Sequence, residues 1–209
     1  PLPLAALAAP CAAFLLSAAA LGGQFSPWAL AAVAAAGTGW NGAAAGLGAL
    51  LGALAFLDFQ PGLRHGAAAL LIFCANTAFC TTRLYRRDWF RPAAAVLASA
   101  LVQTAYLWQR GGRQWALCAA ALALLYGCTR LWPQKLGGPA DTGRTGWFLL
   151  LLGVCACLSR LSLYGFTPAM TAAAVLLLAL GRAARPTDLI CAGALAGLTL
   201  DLCAVDTFY

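Results

Sequence analysis

Residues 28–57 read WALAAVAAAGTGWNGAAAGLGALLGALAFL, thirty positions without a single charged side chain. About 20 apolar residues in a helix cross ~30 Å of hydrocarbon, so this run is too long for one ordinary span. Gly37-Thr38-Gly39-Trp40-Asn41-Gly42 interrupts it with turn chemistry. Two short helices are therefore predicted, 28–36 and 42–57, forming a tight hairpin or a re-entrant pair. Irregular backbone at that depth is tolerated only where protein or a wet cavity covers it.

The same texture extends in both directions. An apolar run over 2–21 ends at Gly22-Gly23, and further runs cover 66–82, 93–109, 115–132, 147–163, 167–181 and 187–204. Pro133, Pro168 and Pro186 fall at run ends, where a helix accepts them. The expected fold class is all-α: a polytopic transmembrane helix bundle of about nine helices, with a broken or re-entrant pair at 28–57. It forms a single membrane domain over 1–209. Hydrophobic residues make up 63% of the chain and charged ones 9%, with a mean hydropathy of +0.82. Water-facing domains carry roughly a quarter charged residues, so the lipid bilayer is the expected surroundings.

The charges are twelve Arg, one Lys, six Asp, no Glu and one His. Because the basic residues sit between apolar runs, the net +7 reads as topology and head-group contact, and no nucleic-acid partner is expected. Suppose the loop bearing Arg83, Arg86, Arg87 and Arg91 is cytoplasmic. Alternation then puts Arg130, Lys135, Arg144, Arg182 and Arg185 on the same side and Arg64, Arg110, Arg113 and Arg160 opposite, nine against four. The positive-inside rule gives a cytoplasmic N-terminus and an outer Tyr209. Trp28, Trp40, Trp89, Trp108, Trp115, Trp132 and Trp147 lie mostly at run ends, as an interfacial aromatic belt does.

Membrane-embedded polar residues each need a reason. Asp201, deep in the last run, and Arg160 are expected to pair and join two helices; the competing use of Asp201 is an ion or proton pathway. Arg130, near a helix end, is expected to snorkel to the interface. Gly42-x-x-x-Gly46, Gly48-x-x-x-Gly52 and Gly193-x-x-x-Gly197 put glycines on single helix faces, for close packing within the chain or for self-association.

Chemistry-bearing constellations are not found. Cys155 and Cys157 point about 200° apart on a helix, and with His65 as the lone histidine, placed in a connection at 58–65, the nine cysteines make no zinc set. No paired carboxylates, Ser/His/Asp set, phosphate loop or dinucleotide fingerprint is present. The chain is expected to have no catalytic, cofactor-binding or metal-binding residues.

Four stretches carry a family resemblance. Ser26-Pro27-Trp28-Ala29-Leu30-Ala31, GLGALLGALAF at 46–56, Gly62-Leu63-Arg64-His65-Gly66 running on to Ile72, and GALAGLTLDL at 193–202 resemble the membrane region of stage II sporulation protein E. Trp28 stands where that family has Phe, Ala29 where it has Gly, and His65 where Tyr is common. The resemblance implies about ten membrane helices followed by a cytoplasmic serine/threonine phosphatase domain of the protein phosphatase 2C type. That enzyme activates a sigma factor by dephosphorylating an anti-sigma-factor antagonist. It implies manganese or magnesium in that downstream domain, septal or cell-division partners, and a place in the bacterial cell membrane at the division septum. On this expectation the sequence is a fragment that stops before a tenth helix, and it anchors, localises and oligomerises the enzyme. The alternative is a small-molecule or ion transporter, or a substrate-binding membrane subunit, in which the broken pair lines a site.

Overall fold

The computed structural model describes residues 4–108, 111–132, 140–159, 168–181 and 186–203, with backbone alone at 4–7, 140–145 and 186. Among the described residues there are nine α-helices and no strand. They are α1 (Leu4–Leu16), α2 (Pro27–Ala36), α3 (Gly39–Phe56), α4 (Phe59–Phe79), α5 (Phe90–Leu107), α6 (Gly112–Arg130), α7 (Ala140–Leu158), α8 (Pro168–Gly181) and α9 (Pro186–Cys203).

The all-α expectation and the order of helices hold, but several boundaries move. The first helix stops at Leu16 rather than running to 21. Its continuation, Ser17–Leu21, is buried and irregular. The break in 28–57 is tighter than the sequence suggests: α3 begins at Gly39, leaving only Gly37 and Thr38 between helices. Gly37 (φ 75°) and Gly39 (φ 74°) both adopt left-handed backbone, which a side chain would resist. The connection expected at 58–65 is mostly helix, since α4 starts at Phe59. Arg91, expected in the basic loop, lies in the first turn of α5.

Helices α4, α5, α6 and α9 run past their apolar cores into polar flanks such as Gln60, Arg64, Arg91, Arg113, Gln114 and Asp188. Among the described residues, α3 alone is long and apolar enough to cross a membrane by length and composition.

Small residues set the packing. A Cβ on Gly48 would strike the carbonyl of Pro10, and one on Gly52 the carbonyl of Phe14. Because the pairing rises in both helices, α1 runs parallel to α3. Ser17 donates to the Ala13 carbonyl at 2.9 Å and lies 3.3 Å from that of Ala49, and Phe14 packs edge-on to Phe56 at 5.4 Å. Gly42 meets the carbonyl of Gly37 and the ring of Phe73. By contrast nothing described lies within 4 Å of a Cβ added to Gly46, Gly193 or Gly197.

Helix α2 occupies the middle. It touches α1, α3, α4, α5 and α6, and every side chain from Pro27 to Ala34 is buried. Trp28, expected at an interface, is fully buried, and its indole Nε1 donates to the Leu149 carbonyl on α7 at 3.1 Å. Gly153, which belongs to no glycine pair in the sequence, makes room: a Cβ there would sit 2.5–2.9 Å from the Trp28 ring. The remaining helices surround this centre and turn large apolar side chains outward, in rows such as Leu47, Leu51 and Leu54 on α3 or Leu97 and Leu101 on α5.

These contacts separate the glycines. Gly48→Ala and Gly52→Ala are expected to destabilise the fold by about 1–3 kcal/mol each through overpacking. Gly46→Ala and Gly193→Ala should be neutral or stabilise by up to about 1 kcal/mol through helix propensity. Thermal unfolding of the four purified variants followed by circular dichroism measures the difference.

Candidate functional site at the buried start of helix α2

Ten residues make α2 about 15 Å long at 1.5 Å per residue, so its N-terminus lies inside the protein. The chain reaches it through a buried turn in which Leu21 and Phe25 exchange backbone hydrogen bonds of 2.7 and 3.2 Å. The Gly22 N–H donates to the Leu202 carbonyl at the end of α9, 2.6 Å away. Ser26 stands at the N-cap, but no side chain caps the helix; its hydroxyl donates backwards to the Leu16 carbonyl at 2.9 Å. Pro27 has no N–H to satisfy. The N–H groups of Trp28 and Ala29 have no acceptor within the helix, and they carry its positive end.

Facing this end is a small cleft. Its walls include Phe25, Ser26 and Pro27, then His65 from α4, Ser99 and Gln103 from α5, and Cys118 from α6, with room for about one water molecule. His65, expected in a connection, is helical and fully buried. Neither ring nitrogen has a hydrogen-bond partner. An unmet buried polar group costs about 1–3 kcal/mol, so the imidazole is an expensive residue here. Gln103, also buried, accepts through Oε1 from the Arg64 Nη1 at 3.3 Å, leaving its NH2 as donor. The Arg64 guanidinium lies over the Tyr106 ring, 3.6 Å from its centroid, a cation–π contact. Arg64 and Tyr106 thus stand behind Gln103, next to the cleft wall rather than in it. His65 is six residues into α4 and Cys118 six into α6, each about 9 Å along its helix. The four elements therefore bring their polar groups to one level.

The other residues with a sequence-predicted role are scattered. Arg83, Arg86 and Arg87 are exposed in the 80–89 turn beside exposed Leu84 and Trp89. Arg91 holds its guanidinium 4.7 Å above the Tyr85 ring, within a cluster in which Tyr85 and Phe79 pack on Phe90. Arg130 is exposed in the last turn of α6 and donates to the Tyr126 hydroxyl at 3.1 Å. Asp201 is exposed on α9, and Arg160, its expected partner, lies outside the described residues. Cys157 donates to the Leu15 carbonyl at 3.1 Å, tying α7 to α1. Among the described residues no three His, Cys or Asp side chains gather as a metal site.

A signal for the cleft is present in the sequence, though a faint one. Ser99 and Gln103 are four apart in an otherwise apolar run, so they share a helix face, and Arg64-His65 interrupts α4 in the same way.

No family model, curated protein or solved structure matches the chain.

A covering role for Arg64, through its bond to Gln103, is testable at Cys118. In a background where the other eight cysteines are replaced by Ala, Cys118 should react slowly with a water-soluble maleimide. Arg64→Ala should raise that rate by about tenfold, the effect of losing roughly 1.4 kcal/mol of closure. An unchanged rate would show that Arg64 does not cover the cleft.

Proposed function

We propose that this chain is a multi-pass membrane domain that anchors and localises a cytoplasmic serine/threonine phosphatase of the stage II sporulation protein E type. The observation that carries the membrane half is the outer surface. Leu47 and Leu51 on α3 are 58% and 59% exposed, Leu97 and Leu101 on α5 69% and 67%, and Leu178 on α8 74%. Water-soluble monomers rarely expose contiguous apolar patches beyond a few hundred Å², whereas hydrocarbon tails solvate such rows without cost. The buried side chains meanwhile include Ser17, Ser26, His65, Asn76, Ser99, Gln103 and Thr129.

The charge distribution supports an orientation. The Gly37–Thr38 turn lies at the end of the bundle that holds the basic 80–89 turn, since a Cβ on Gly37 would be 3.2 Å from the Tyr85 hydroxyl. Arg83, Arg86, Arg87, Arg91 and Arg130 lie toward that end, which we assign to the cytoplasm and its anionic lipid surface. Helix α1 starts on that side and α9 ends opposite. The resemblance supplies the enzyme, the sigma-factor role, the septal location and self-association of the domain. The metal that the resemblance implies is one of a phosphatase domain, and no residue of this chain is assigned to it.

One observation favours a second reading, a ligand-binding or transporting membrane subunit. The half-length α2 follows an irregular buried segment, the arrangement that discontinuous helices use to present their ends to a substrate.

Two measurements test the membrane half. The protein should stay in the pellet when membranes are washed with alkaline carbonate. In intact cells, a membrane-impermeant thiol reagent should label D58C but not R86C in the cysteine-free background. Release by carbonate overturns the membrane reading, and the opposite labelling inverts its orientation. The reading frame beyond Tyr209 tests the enzyme half. A tenth helix followed by a phosphatase domain supports it, and an early stop codon favours the second reading.

A further inference from the structure

We propose that the cleft at the start of α2 is a binding site for a small anion, either a halide or a one-carbon carboxylate such as formate. The inference goes beyond the anchoring role and stands whether or not a phosphatase follows.

Three independent observations converge on one cleft. The first is the buried, uncapped N-terminus of α2, with Ser26 bonded away from it. Its end presents N–H donors and a partial positive charge to the interior, the arrangement that binds anions elsewhere. The second is His65, fully buried, lining the cleft, with both ring nitrogens unpartnered. The third is the chemistry of the remaining polar wall. Gln103 has given its oxygen to Arg64, so its NH2 is what it can offer a ligand. Ser99 and Cys118 add a hydroxyl and a thiol, and among the described residues no carboxylate lines the cleft. A cation would meet a helix end of the wrong sign and an arginine one hydrogen bond away. A water molecule fits the space, yet it would leave the positive field unanswered. An anion answers the field and accepts from these donors at once.

The size of the space limits the ligand. Room for about one water molecule suits a halide or a single carboxylate group and excludes a phosphate ester. A low-dielectric surround strengthens each charge-assisted bond relative to water.

The test uses the whole chain in detergent, at fixed sodium concentration, with chloride, bromide, formate or gluconate as the sole anion. Chloride or formate should raise the midpoint of thermal unfolding by roughly 2–4 °C over gluconate, which is too large for the cleft. Radiolabelled chloride should bind with a stoichiometry of about one per chain. Gln103→Leu and His65→Leu should each weaken that binding by about tenfold, the loss of one charge-assisted hydrogen bond. Arg87→Ala, in the distant basic turn, should leave it unchanged. Stabilisation by formate but not chloride identifies a carboxylate ligand, and stabilisation by both identifies a halide-tolerant site. Equal midpoints in all four salts with no chloride bound would overturn the proposal and leave the cleft to water. Stabilisation that survives both cleft variants but is lost in Arg87→Ala would overturn it too, by moving the anion to the basic turn. If His65→Leu fails to fold, the binding measured on Gln103→Leu decides alone.

Discussion

A helix of ten residues buried on all sides, with its first turn in the interior, is the constraint around which the rest of this protein is arranged. Backbone N–H and C=O groups removed from water need partners, and α2 brings them in at an end where helices normally rely on a cap or on solvent. The chain meets most of the demand locally. Leu21 and Phe25 pair across the preceding turn, Gly22 bonds to the end of α9, and the Ser26 hydroxyl closes the last turn of α1. What it leaves open is the front of α2 itself. Five helices must then close around this core segment, and they do so through small contacts. Gly42, Gly48 and Gly52 let α3 approach within the reach of backbone atoms, which directional polar groups such as Ser17 then fix.

Burying α2 this way inverts the usual distribution of polarity. Side chains that compete for hydrogen bonds are drawn inward to the neighbourhood of α2, and large aliphatic side chains line the outside. In the bilayer proposed for this chain, hydrocarbon would give helices no hydrophobic reason to associate, so close van der Waals packing and interhelical hydrogen bonds would have to do it. The Trp28–Leu149 bond across the Gly153 notch is of this kind, and it attaches α7 to the centre. Ions obey the same logic. Arg64 is held in part by the face of Tyr106 and the Gln103 amide.

The helices are legible in the sequence because their apolar runs are long and their punctuation is chemical: Gly22-Gly23, the glycines at 37 and 39, and prolines at run ends. Their boundaries are less so. Hydropathy marks where a helix is greasy, whereas its hydrogen bonds continue through Gln60 and Arg64 in α4 or Arg113 in α6, and so the connection expected at 58–65 is helix. The glycine pattern is half informative. Spacing of four places two glycines on one face, but only the partner decides whether that face is used. Gly48 and Gly52 are used against α1, whereas a Cβ on Gly193 or Gly197 would meet nothing described within 4 Å. The cleft is hidden for a related reason. A lone histidine beside an arginine at the edge of an apolar run reads as surface, and although the short helix at 28–36 is legible, nothing local says that its start lies beside that ring.

Length connects these features. Had α2 been twice as long, its first turn would reach the end of the bundle and find water, and His65 would face a continuous helix wall. At about 15 Å it stops near the level of His65, Gln103 and Cys118, so a helix end and three polar side chains share a space that none would occupy alone. Each is costly in isolation: an uncapped terminus, an imidazole without partners, a glutamine committed to an arginine. Together they form donors converging on one point in a medium that screens them poorly. The short helix that makes the fold demanding is therefore also what gives its interior a place with the polarity of a site.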